Sequence, residues 1–174
     1  MLDRGLLGHL ERHAVRYCLI GGVALAVHGY ARYTADVDLL TMDGRVLDEK
    51  LWHGAACTVE IRAGDAADPL AGLVRWASSP PHDLLVGRGH AMSLAVASAV
   101  RDPTLDAPVA SAAALVLLKL EAGGPQDLND ILALADAQNE LGRFDWQDAV
   151  EQHLPRLSDA ARAAWRRVAA DLRR

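Results

Sequence analysis

Two features of the chain combine residue types and spacing that could do chemistry. The first is Gly21-Gly22, which follows the short apolar run Tyr17-Cys18-Leu19-Ile20. The second is Asp36-Val37-Asp38, after an interval of thirteen residues. A strand that ends in two glycines and enters a helix lets backbone N–H groups come close to a phosphate, and the helix dipole adds partial positive charge there. Two aspartates two positions apart on a strand project from the same face. Such neighbours repel one another unless a cation lies between them, and hard carboxylate oxygens suit Mg²⁺ bridging substrate phosphates. A phosphate cradle beside a carboxylate pair is equipment for metal-assisted phosphoryl or nucleotidyl transfer. Taken singly, Gly-Gly is a turn and Asp-Val-Asp a solvated strand face; together, in this order, they favour a site.

The elements that must position these residues can be read from the pattern. Leu6, Leu7, Leu10 and Val15 give residues 3–14 helical spacing, and Tyr17–Ile20 reads as a buried strand. Val23–His28 reads as two helical turns stopped by Gly29, and Asp36–Leu40 as a strand with period two. Val46–His53 is expected to be helical. Cys57–Arg62, Leu70–Trp76 and His82–Gly87 read as strands. The cluster Ser78-Ser79-Pro80-Pro81 predicts a hairpin between the last two. From residue 111 the character changes. Ser111 is a plausible N-cap for an Ala-rich apolar helix to Ala122, Gly123-Gly124-Pro125 breaks it, and helices follow over Gln126–Asn139 and Ser158–Leu172. The fold class expected is α/β: a small mixed β-sheet flanked by helices with a C-terminal helical bundle. Residues 1–110 would form the α/β core and 111–174 a helical extension packed on it, in one unit.

Composition narrows the function classes. The chain has 174 residues, 51% hydrophobic and 24% charged, with a formal net charge of −5. That suits one folded domain and argues against a protein built mainly to coat nucleic acid. No apolar run reaches the length of a membrane helix, the first residues lack the order of a secretory signal, and Cys18 and Cys57 read as small buried hydrophobes. The expected location is the cytoplasm. His9 and His13 lie one helical turn apart, but the spacing matches no zinc motif. The arginines Arg162, Arg166, Arg167, Arg173 and Arg174 read as a solvated helix face rather than an RNA-binding patch.

The spacing of Gly21-Gly22 and Asp36-Val37-Asp38 resembles the signature of the polymerase-beta-like nucleotidyltransferase superfamily. The fuller wording, Gly21 to Gly29 with Arg32-Tyr33-Thr34-Ala35-Asp36-Val37-Asp38, is similar to its abortive-infection toxin branch, the AbiEii-type nucleotidyltransferases. A second block, Leu117-Leu118-Lys119-Leu120-Glu121-Ala122-Gly123 followed by Gln126-Asp127-Leu128-Asn129-Asp130-Ile131, resembles a helical segment of that branch.

The resemblance implies a nucleotidyltransferase fold. It also implies Mg²⁺-dependent transfer of a nucleoside monophosphate from a nucleoside triphosphate, using two ions (or Mn²⁺), to a tRNA or protein acceptor. The setting would be the toxin of a toxin–antitoxin pair, with a cognate antitoxin as partner. It implies a third carboxylate beside Asp36 and Asp38. Asp83, at the start of a short apolar strand, is the preferred candidate, Glu60 the runner-up, and Asp65 and Asp68 fall in a turn. Gly21, Gly22, Arg32, Thr34, Lys119 and Asp127 are assigned to nucleotide binding. Arg32 either contacts triphosphate oxygens or pairs with Asp36 or Asp38. Lys119 either reaches the phosphates or is bridged to Asp127 or Asp130. The rival reading is a nucleotide- or partner-binding protein that keeps the fold without turnover.

Overall fold

The computed structural model describes residues 2–172. Arg173 and Arg174, read above as part of the C-terminal helix face, lie outside the described residues.

The N-terminal half alternates helices and strands. Helix α1 (Arg4–Arg12) begins at Asp3, whose side chain accepts a hydrogen bond from the Leu6 amide, and its Leu6, Leu7 and Leu10 are buried. It is followed by β1 (Tyr17–Leu19), α2 (Gly21–Val27) and β2 (Val37–Thr41). Next come β3 (Val59–Ala63), β4 (Leu70–Trp76) and β5 (His82–Gly87), then α3 (His90–Ala97), β6 (Val100–Asp102) and β7 (Ala107–Val109). The seven strands form one mixed sheet in the order β3-β4-β5-β2-β1-β7-β6. The β4–β5 hairpin is antiparallel, β5 runs parallel to β2, and β2 runs antiparallel to β1. The motif-bearing strand β2 therefore sits at the centre. Its buried Val37, Leu39 and Leu40 belong to the core, which fixes the register and turns Asp38 to the opposite face from Val37 and Leu39.

The C-terminal half is helical: α4 (Ala112–Ala122), α5 (Pro125–Glu140), α6 (Asp145–His153) and α7 (Asp159–Asp171). Helix α4 is buried on nearly every side, from Ala112 to Leu117 and again at Lys119 and Leu120. An all-round apolar helix must lie inside a fold, and α4 packs against α2, α3, α5, α6 and α7. Ser111 caps its start, accepting from the Ala114 amide, and Gly123 ends it in the left-handed conformation.

Three expectations are corrected. The segment Val46–His53 is not one helix. It forms two 3₁₀ turns, Gly44–Leu47 and Glu49–Trp52, because Asp48 is extended between them and caps the second through the Lys50 amide. Asp36 lies just before β2 rather than on it. Helices α3 and α6 and strands β6 and β7 extend the fold beyond the expected elements.

Candidate active site

The site is built around the N-terminal half of β2. Strand pairing sets Asp38 directly opposite Asp83 on β5, so both carboxylates rise from one face of the sheet. Asp36, one step before the strand, turns back towards them. One carboxylate oxygen from each of Asp36, Asp38 and Asp83 lies within 4.8 Å of the other two. Asp83 is buried, and Asp36 and Asp38 are half-buried.

Of the other candidates for a third carboxylate, Glu60 lies on β3 and is held by Arg62, at 2.7 and 2.8 Å. Asp65 and Asp68 are in the β3–β4 loop, where Asp68 accepts from the Leu70 amide at 2.8 Å. None of these three joins the cluster, among the described residues.

The glycine pair has a steric reason for being where it is. Gly21 has φ +61°, and a Cβ on it would overlap the Asp38 carboxylate. A Cβ on Gly22 would come within 2.8 Å of the Thr34 Cβ. Thr34 in turn donates its hydroxyl hydrogen bond to Asp36, with Oδ1 at 3.1 Å and the backbone carbonyl at 3.2 Å. One glycine therefore admits Asp38 directly, and the other admits the threonine that holds Asp36.

Electrostatics at the cluster follow from three like charges in a small, partly dry space. Burial, then the neighbouring charges of Asp36 and Asp83, push the Asp38 carboxyl up to about 6, while Arg32 and Lys119 work in the opposite direction. Three carboxylate oxygens brought this close, one of them reluctant to ionise alone, form a hard donor set that fits Mg²⁺ or Mn²⁺.

Arg32 and Lys119 converge on one buried carboxylate, Asp130. Arg32 does not pair with Asp36 or Asp38, one of the two arrangements expected of it. Its Nε lies 3.2 Å from Oδ1 of Asp130, near enough for an ion pair but without hydrogen-bond alignment. Lys119 combines features of both of its expected arrangements. Its ammonium donates to Asp130 at 2.6 Å and to Asp127 at 3.1 Å, and the residue also lines the cleft beside Asp38. Asp127 is shared as well, because its second oxygen accepts from the Gly124 amide at the start of α5.

Asp130, fully buried, is thus the hub of the cationic side of the cleft. Burial works to raise its carboxyl, but hydrogen bonds from Lys119 and Gln126 and the charges of Lys119 and Arg32 prevail and hold it below the ordinary carboxylate range.

The cleft has a volume of about 680 Å³ and runs from Gly21, Arg32 and Asp38 under α3 and α4. Its far wall is apolar, with Leu40, Leu85, Met92 and Leu118, and Arg88 and His90 also border it. Sequence reasoning missed Arg75, whose guanidinium grips Asp83 with Nε at 2.7 Å and Nη2 at 2.6 Å. The signal was available: Arg75 and Asp83 lie equally far from the centre of the expected hairpin, which pairs them directly.

No protein-family model matches the sequence, and no curated protein matches it. Among solved structures the fold is similar to that of the antibiotic-resistance factor ANT(2'')-Ia. A solution structure of that protein aligns with TM-score 0.51 and 17% identity over 97% of this chain and 91% of the other. Its crystal structure in complex with adenylyl-2''-tobramycin aligns with TM-score 0.52 and 15% identity over 94% of each chain. An antigenic nucleotidyltransferase-like protein from Paracoccidioides brasiliensis aligns with TM-score 0.45 and 16% identity over 91% of this chain and 90% of the other. The architecture is that of the nucleotidyltransferase fold: a mixed seven-stranded sheet flanked by helices.

Proposed function

We propose that this protein is a divalent-metal-dependent nucleotidyltransferase. The observation that carries the reading is the convergence of Asp36, Asp38 and Asp83, within 4.8 Å, beside a cleft that Asp38 lines together with Arg32 and Lys119. Asp36 and Asp38 would together hold two ions, and Asp83 would ligate one of them. When bound, the ions supply charge neutralisation for the triphosphate and its leaving group.

The chain's own residues do the rest. Gly21 and Gly22, at the start of α2, would position the phosphates beside Asp38 and the Thr34 that holds Asp36. Arg32 and Lys119 balance phosphate charge from the lining of the cleft beside Asp38, with Asp127 anchoring Lys119. Asp83 keeps one lone pair free on each oxygen beyond the Arg75 fork, so it retains the capacity to take the acceptor's proton. Residues 1–110 carry the carboxylates and 111–174 contribute Lys119 and Asp127 to the same cleft.

The two sequence blocks support an AbiEii-type setting, with tRNA or protein as acceptor and an antitoxin as partner. The complex of ANT(2'')-Ia with adenylyl-2''-tobramycin, in which a nucleotide is joined to an acceptor, supports the reaction class. A second reading, nucleotide binding without turnover, draws on one observation: Asp130 and Asp127 already engage Arg32 and Lys119.

The test is incubation of the protein with each of the four α-labelled nucleoside triphosphates, Mg²⁺, and tRNA or total cell protein. Label transferred by the wild type and lost in Asp36→Asn supports the enzyme. Nucleotide binding without transfer under all conditions supports the second reading. Absence of both overturns the proposal.

A further inference from the structure

The pairing of four strands lines up a row of charged residues across the sheet. Glu60 on β3 is opposite Arg75 on β4, Arg75 is opposite Asp83 on β5, and Asp83 is opposite Asp38 on β2. Directly opposed residues share a face, so the row reads acid, base, acid, acid on the face that carries the cluster. Arg75 has a carboxylate on each side, yet it is committed to one. Glu60 is occupied by Arg62 within its own strand. Both oxygens of Asp83 accept from Arg75, at 2.7 and 2.6 Å, in a planar fork.

We propose that Arg75 is the positioning residue of the third carboxylate: it fixes the orientation of Asp83 so that the aspartate's free lone pairs face Asp36 and Asp38. This rests on the reading of the three aspartates as a metal site. Without a restraint from the β4 side, repulsion from the two other carboxylates turns Asp83 away from them. The fork supplies that restraint and uses one lone pair on each oxygen, leaving the second for a cation. A simple cross-strand ion pair would lend the hairpin a little stability and nothing more. The Arg75 side chain is 45% exposed against 11% for Asp83, so Arg75 can be replaced with little disturbance to the core.

The experiment measures binding of Mn²⁺ alone to the full chain, by the loss of the free aquo-ion EPR signal, with no nucleotide present. Four proteins are compared: wild type, Arg75→Gln, Arg75→Lys and Asp38→Asn. Melting curves in the absence of metal accompany each. The expected result is a wild-type site that is lost in Asp38→Asn and weakened about 10–100-fold in Arg75→Gln, the range seen when partners of metal ligands are removed. Arg75→Lys should recover part of the affinity, because it restores the charge without the fork. Unchanged or tighter Mn²⁺ binding by Arg75→Gln overturns the proposal, whatever its melting temperature. A wild type that binds no Mn²⁺, or binding that Asp38→Asn leaves intact, overturns the metal-site reading itself and this inference with it.

Discussion

Gly21 and Asp38 occupy each other's space: the glycine's α-carbon faces the aspartate so closely that a methyl group there would overlap the carboxylate. Gly21 also has φ +61°, a conformation that costs an L-residue about 1–2 kcal/mol. Gly21→Ala is therefore expected to destabilise the protein by more than the backbone cost alone and to displace Asp38. Because the two effects share Asp38, the penalty should shrink in an Asp38→Ala background, with a coupling of about 0.5 kcal/mol or more. Chemical denaturation of the four members of this cycle measures it; additive penalties would show that the close approach carries no energy.

Asp38 should make stability depend on pH in a direction unusual for a carboxylate. Its pKa rises from an ordinary 3.8 to about 6 in the folded protein, through burial and then the charges of Asp36 and Asp83. Between these values the folded state holds more protons than the unfolded chain. Its contribution is therefore present below about 4 and is lost as pH rises through about 6. At 1.36 kcal/mol per unit this amounts to about 3 kcal/mol. His28 and His82, both held below their ordinary value by burial, act oppositely and favour the folded state less as pH falls. The comparison with Asp38→Asn isolates the aspartate. Without divalent cations the variant should be more stable than wild type at pH 7, with the difference closing towards pH 4. A wild type more stable than the variant at pH 7 would contradict the assignment.

The Asp36 and Asp38 pair was legible in the sequence because it is local, two positions apart beside the alternation of Val37–Leu40. A third carboxylate was expected only through the family resemblance, with Asp83 preferred for its place at the start of an apolar strand. It is the fold's pairing of β2 with β5 that sets Asp38 against Asp83. The Arg32 ion pair was not legible. The nearest acids in sequence, Asp36 and Asp38, look like natural partners, but the fold brings Asp130 from α5 instead. Helix α3 was hidden for a different reason. His90–Ala97 is short and almost uniformly apolar, and it starts at Gly89 with no side-chain cap, so it shows neither an amphipathic stripe nor a capping signal. The expectation of a helix over 46–53 failed because aspartates favour local caps: Asp43 and Asp48 each accept from an amide two residues on, cutting the segment into 3₁₀ turns.

Arg88 is a third cation of the cleft lining, beside Arg32 and Lys119. Its Nη1 donates to the backbone carbonyls of Asp65, Ala66 and Asp68, at 2.7, 3.2 and 3.0 Å. One guanidinium thus pins the whole β3–β4 loop against the cleft. Arg88→Ala should free that loop with little effect on the buried strands, since the pin is exposed. Hydrogen exchange is expected to speed up over residues 64–69 and stay unchanged over β5. Equal acceleration in both would mean that Arg88 supports the sheet and not the loop.

Lys119 offers the sharpest division between stability and binding, because the fold gives it both duties. Its ammonium satisfies Asp130, which is fully buried, and Asp127, while the residue borders the cleft beside Asp38. Removing one partner of a buried pair leaves a charge uncompensated and typically costs about 3–5 kcal/mol. Arg32 and Gln126 remain near Asp130, so Lys119→Met should fall at the low end, about 3 kcal/mol. The double variant Lys119→Met with Asp130→Leu removes both charges and should regain much of that loss. Triphosphate affinity of the folded protein should not return with it, because the cation facing the phosphates is still missing and Arg32 has lost its anchor. Denaturation curves and a nucleotide titration on the single and double variants separate the two effects. Affinity that recovers together with stability would remove Lys119 from the binding site and leave it a purely structural bridge.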